Sequence, residues 1–122
     1  MFEHLRQVRY TRTMAKTRKG VEGKFKQQEQ YAPRNDKEKN LVQAFASLKD
    51  AKAAAAFLRD ILTPAEIKEF ANRLEMARLI FTGYSYQEIA QKLDTSTATV
   101  TRVAHWLYHG CGGYYSFLSK RR

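Results

Sequence analysis

The sequence predicts an all-α fold, and three observations predict it. Beyond about residue 35, apolar residues recur at intervals of three and four, the spacing of one helix face. A side chain able to cap a helix stands before each such run, and glycines follow several of them. No stretch alternates apolar and polar residues as a half-buried strand does, and no internal repeat is present.

Asn35 or Asp36 can cap a first helix, in which Leu41, Val42, Phe45 and Leu48 fall at helical spacing. Asp50 caps a second, AKAAAAFLRDIL, whose alanines favour helix and whose Phe57, Leu58, Ile61 and Leu62 form an apolar face. Thr63-Pro64-Ala65-Glu66 is a stronger start signal. It sets a cap hydroxyl, a proline at the first helical position and a capping-box glutamate in register. The helix that follows carries Ile67, Phe70, Ala71, Leu74, Ala77 and Phe81 on one side and stops at Gly83, as a left-handed cap requires. Ser85 and Glu88 form a second capping box that opens YQEIAQKL, and Asp94-Thr95-Ser96 leaves room only for a turn. Ser96 then caps TATVTRVAHWLY, which runs into Gly110, Gly112 and Gly113, and YYSFLSK makes a final amphipathic stub.

Residues 1–34 read differently. They are poor in large aliphatics and rich in Lys, Arg, Gln and Thr, so they are expected to form a solvated basic arm ahead of a helical domain at 35–122. Met14 stands as a second candidate translation start. The 122 residues carry 22 Lys and Arg against 12 Asp and Glu, a net charge of +10, with a pI near 9.9. Residues 1–40 hold 11 of the cations and 5 of the acids. Such a surplus points to a polyanionic partner. The single cysteine excludes a disulfide framework and suits a reducing, cytoplasmic setting. The apolar runs are too short to span a bilayer, and no secretory leader is read.

The informative stretch is SYQEIAQKLDTSTATVTRVAHWL, which has the pattern of a helix-turn-helix. Ile89 and Leu93 are the buried aliphatics of the first helix, and Ala90 is the small residue where the second crosses. Val100, Val103 and Leu107 form the inner face of the second helix. Its outer face is then Thr97, Ala98, Thr101, Arg102 and His105, all short or cationic. Such a face fits the major groove, where small side chains let the backbone approach base edges and hydroxyls donate or accept. The expected DNA-binding residues are Gln87, Lys92, Ser96, Thr97, Ala98, Thr101, Arg102 and His105, with Lys92, Arg102 and the arm on phosphates. Asp94 sits where such turns usually carry glycine, and aspartate tolerates the left-handed conformation at small cost.

LTPAE, NRLEMARL, STATVTR and YHGCGGY together resemble the Trp repressor superfamily, in particular its TrpR-like YerC/YecD branch of small bacterial regulators. The likeness spans about residues 41–119. It implies an intertwined homodimer that presents two recognition helices to successive major grooves of double-stranded DNA. Chain size agrees, since so short a helical domain buries a modest share of its apolar surface alone. Exposed Phe45, Phe57, Leu58, Phe70, Trp106 and Phe117 would be covered across a two-fold interface. The resemblance also places Thr63, Arg73, Thr99 and Arg102 at the positions that line the corepressor pocket in the repressor. The glycine that makes room for the indole there is Val103 here, and overpacking of that kind commonly costs about 1–3 kcal/mol. Trp106 replaces a serine and is expected to fill the slot from within. No tryptophan corepressor is therefore expected. Arg73 would instead pair with a carboxylate such as Glu69, and Arg102 would meet a phosphate.

Other signals carry less. His105 and His109 lie four apart with Cys111 beyond, yet no fourth metal ligand is near, and His109 suits the helix C-terminus. Cys111 lacks an activating base. GCGG is not followed by the Lys-Ser/Thr of a phosphate loop. Tyr114, Tyr115 and Phe117 read as core or dimer contacts. No catalytic grouping is present in the sequence, and no enzyme is expected. The reading is a cytoplasmic, nucleoid-associated regulator. Its alternative is a basic RNA- or ribosome-associated protein whose helix-turn-helix docks a protein partner, and an arm resting on anionic lipid is a third.

Overall fold

The computed structural model describes Phe25 and residues 29–120. The arm expected at 1–34 thus lies largely outside the described residues. Among those described there are six helices and no strand: α1 (Asp36–Ala46), α2 (Ala51–Ile61), α3 (Pro64–Phe81), α4 (Tyr86–Lys92), α5 (Thr97–His109) and α6 (Gly113–Lys120).

Local chemistry sets the helix starts. Asn35 Oδ1 accepts the Glu38 N–H at 2.9 Å, and Asp50 Oδ1 accepts the Ala53 N–H at 2.8 Å. Thr63 and Glu66 exchange bonds reciprocally at 2.9 and 3.2 Å, and Ser85 and Glu88 do so at 2.9 and 3.1 Å. Ser96 Oγ accepts the Thr99 N–H at 3.2 Å. Each bond satisfies an N–H that the first turn of a helix would leave without a partner. Gly83 ends α3 at φ 98°.

Two compact units divide the chain. Tyr31–Ala71 holds α1, α2 and the first turns of α3. Neither α1 nor α2 has a buried residue. Phe45 meets Phe57 edge to face at 5.5 Å, while Leu41, Val42, Phe45, Ile61 and Phe70 remain exposed. Tyr31 donates its hydroxyl to Glu38 Oε1 at 2.5 Å. Phe57 and Leu58, expected to be exposed, are in fact partly covered, because their helix turns them toward their own unit.

The second unit contains the residues from Asn72 onward, together with Phe25. Its core joins Met76, Ala77, Leu79, Ile80 and Phe81 of α3 to Ile89, Ala90, Val100, Val103, Ala104, Leu107 and Leu118. The one buried polar residue described, Thr82, donates its hydroxyl to the Leu79 carbonyl at 3.0 Å. The stripe expected along α3 is buried only at Ala77 and Phe81, with Phe70, Ala71 and Leu74 exposed. The last turns of α3 are buried at adjacent positions, which a single stripe does not require, because they run through the middle of this core.

Candidate nucleic-acid interface

Helices α4 and α5 pack directly on one another, and the turn between them is built as the sequence requires. Asp94 takes φ 51°, the left-handed region, and the Thr95 N–H returns to the Ala90 carbonyl at 2.9 Å. Ile89, Val100 and Leu107 are fully buried, Val103 and Ala90 nearly so, and Leu93 packs partly against them. Burying that inner face turns the other side of α5 outward.

All eight residues expected at the DNA surface are exposed: Gln87 and Lys92 on α4, Ser96 at the cap, and Thr97, Ala98, Thr101, Arg102 and His105 on α5. Their hydrogen bonds refine what each can offer. Thr101 Oγ1 donates to the Thr97 carbonyl at 2.8 Å, so outward it presents only acceptor lone pairs and a methyl group. Ser96 Oγ lies 2.9 Å from Thr99 Oγ1 as well as capping Thr99, so this hydroxyl pair is engaged in holding the helix start. Lys92 Nζ sits over the Tyr84 ring, 5.4 Å from its centre, which steadies the ammonium on the surface. The His105 ring stands edge-on to Trp106 at 5.5 Å and lies 5.6 Å from the His109 ring. Among the described residues no group of three His, Cys, Asp or Glu side chains could hold a metal ion.

Inspection of individual motifs misses one signal: after Asp94 the chain contains no Asp or Glu. The whole of α5 and α6 is therefore free of negative side chains, a distribution visible only when acids are followed along the chain. It favours approach of a polyanion to this surface.

The four residues at corepressor-pocket positions belong to two units of the chain. Thr63 lies in the Tyr31–Ala71 unit, where its hydroxyl and N–H are both engaged with Glu66. Arg73, Thr99 and Arg102 lie in the other unit, the two arginines exposed and Thr99 partly covered. Val103 is 6% exposed, so its isopropyl group belongs to the core. Trp106 is 46% exposed. Its position follows from helical register, since Val103 and Leu107 take the inward places on either side.

The profile of the Trp repressor protein family matches residues 37–122. The chain belongs to the Trp repressor family. It is 38% identical over 74 residues to the uncharacterized protein YerC of Bacillus subtilis strain 168, a match covering 61% of this chain and 71% of that one. The crystal structure of a TrpR-like protein from Eubacterium eligens ATCC 27750 superposes with a TM-score of 0.66 at 34% identity, covering 71% of this chain and 90% of the other. The Trp repressor family is one of helix-turn-helix DNA-binding regulators and not a family of enzymes. Among the described residues no helix is long and apolar enough to cross a membrane.

Proposed function

We propose that this Trp repressor family member is a sequence-specific DNA-binding transcriptional regulator that acts as a homodimer, placing the outer face of α5 in the major groove. One observation carries the reading. Thr97, Ala98, Thr101, Arg102 and His105 are all exposed on the helix whose opposite face is sealed into the core. Gln87, Thr97, Ala98 and Thr101 would select sequence, in part through bridging waters, while Lys92 and Arg102 bind phosphates. Acting on the chromosome would place the protein in the cytoplasm, at the nucleoid.

Homodimerisation is supported by the apolar side chains left exposed in the Tyr31–Ala71 unit: Leu41, Val42, Phe45, Ile61 and Phe70. Two copies would present two α5 helices to a roughly palindromic site. Tryptophan does not fit as corepressor. Val103 stands where the resemblance places the glycine that admits the indole, and its added methyl groups oppose a ligand there. No regulatory step is derived through it.

Selection of bound sites from a random DNA pool, followed by competition with structured RNA, tests the reading. Enrichment of a two-fold symmetric motif supports it. Preferential binding of RNA with no enriched DNA motif would transfer the basic surface to an RNA- or ribosome-associated role. Sedimentation equilibrium reads the dimer, and titration calorimetry with tryptophan should show no binding heat.

A further inference from the structure

Trp106 is the only tryptophan in the sequence, and its ring is both open to solvent and held in place. The Gly110 N–H bonds to the Trp106 carbonyl at 3.0 Å, which closes the end of α5 beside the indole. A Cβ at Gly110 would lie 3.1 Å from Cε3 of the indole and 2.3 Å from the Trp106 carbonyl oxygen. The glycine therefore leaves a seat for the six-membered edge of the ring. His105 stands 5.5 Å away between ring centres and at 87° to the indole, edge to face. A perpendicular neighbour steadies a ring without covering it as a stacked one would.

Charge says what such a ring can meet. Arg102, His105, Trp106 and His109 are separated by three and four residues, so they form one patch on α5, with Cβ atoms about 5–6 Å apart. Arg102 and His105 are exposed, and the His105 and His109 rings lie 5.6 Å apart. Neither α5 nor α6 has an acidic residue to repel an anion. A fixed flat ring beside a guanidinium complements a nucleotide, with the base on the indole and the phosphate on the arginine. A lipid headgroup brings the phosphate without the flat ring. Bases inside a duplex stack on one another and show only their edges, so the base that lies on Trp106 must be unpaired.

The geometry points to a second nucleic-acid site on the C-terminal half of α5: Trp106, steadied by His105 and Gly110, stacks an unpaired nucleotide whose phosphate Arg102 holds. This goes beyond the duplex reading. It assigns to the exposed indole a ligand that a double helix does not offer.

Fluorescence of full-length protein tests it directly, because all tryptophan emission comes from Trp106. A single strand of about ten nucleotides should quench that emission, and an abasic strand of equal length, which keeps the phosphates, should bind roughly tenfold more weakly. Trp106→Leu should bind both strands alike, and Trp106→Phe should restore most of the preference. Arg102→Gln should lower the salt slope for the single strand by about 0.7. Adenosine monophosphate separates two sources of the same chemistry: quenching equal to that of the strand assigns the site to free nucleotides, and weaker quenching assigns it to single strands. Unchanged emission at saturation, or a base preference that survives in Trp106→Leu, would overturn the inference. So would emission shielded from iodide in the free protein and uncovered on dilution, which would make the ring a contact between two copies. Circular dichroism checks the variants, and the quenching measurement needs none of them. Trp106→Leu should bind the selected duplex as wild type does. Loss of the single-strand signals with duplex binding intact sinks this inference alone; their persistence without duplex binding supports it and sinks the regulator reading alone.

Discussion

The Thr101 hydroxyl gives its hydrogen to the Thr97 carbonyl one turn back, at 2.8 Å, in the middle of the outer face of α5. A threonine held in this way has a fixed rotamer and offers a base only lone pairs and a methyl group. It suits the amino group of cytosine or adenine and the methyl of thymine. Thr101→Asp should abolish operator binding by gel shift, with a loss on the order of a hundredfold or about 3 kcal/mol, while sedimentation shows an unchanged oligomer. Unaltered binding would remove Thr101 from the interface.

Lys92, steadied by Tyr84, and Arg102 carry a different expectation, because a phosphate contact reports no sequence. Lys92→Gln or Arg102→Gln should weaken selected and random duplexes alike and reduce the salt slope by about 0.9 each. A loss restricted to the selected site would mean that the residue reads bases.

Backbone conformation gives paired stability predictions. Asp94 at φ 51° and Gly83 at φ 98° occupy the same disfavoured region with opposite residue choices. Asp94→Gly should raise stability by up to about 1 kcal/mol, and Gly83→Ala should lower it by about 1–2 kcal/mol. Denaturant midpoints at constant slope would check both. A destabilised Asp94→Gly would indicate that the aspartate side chain is itself needed in the turn.

The α3 cap carries a pH signature. The Thr63 backbone N–H, and then its hydroxyl, hold the Glu66 carboxyl below the usual carboxylate range. A carboxylate with a depressed folded-state pKa stabilises above its unfolded pKa, and that contribution disappears as pH falls through the folded value. Glu66→Gln should therefore melt below wild type at neutral pH, with the gap closing in acid. A gap that stays constant with pH would assign the effect to helix propensity instead.

The helix starts were legible because each depends on a few adjacent residues. Asn35, Asp50, Thr63, Ser85 and Ser96 all cap as their neighbours imply. The reading face was legible for a related reason: once Val100, Val103 and Leu107 point inward, helical geometry places Thr97, Thr101 and Arg102 outward. One feature depended on distant partners and was not legible. Phe25 resembled the rest of its arm, since Phe81, Tyr108 and Tyr115 become its neighbours only after the chain folds.

The close packing of α4 on α5 across a four-residue turn has a kinetic consequence. These contacts join near neighbours in the chain, so little loop-closure entropy opposes them, and structures of low contact order assemble within microseconds to milliseconds. The pair should gain protection from hydrogen exchange early in refolding, as a nucleus onto which the final turns of α3 condense.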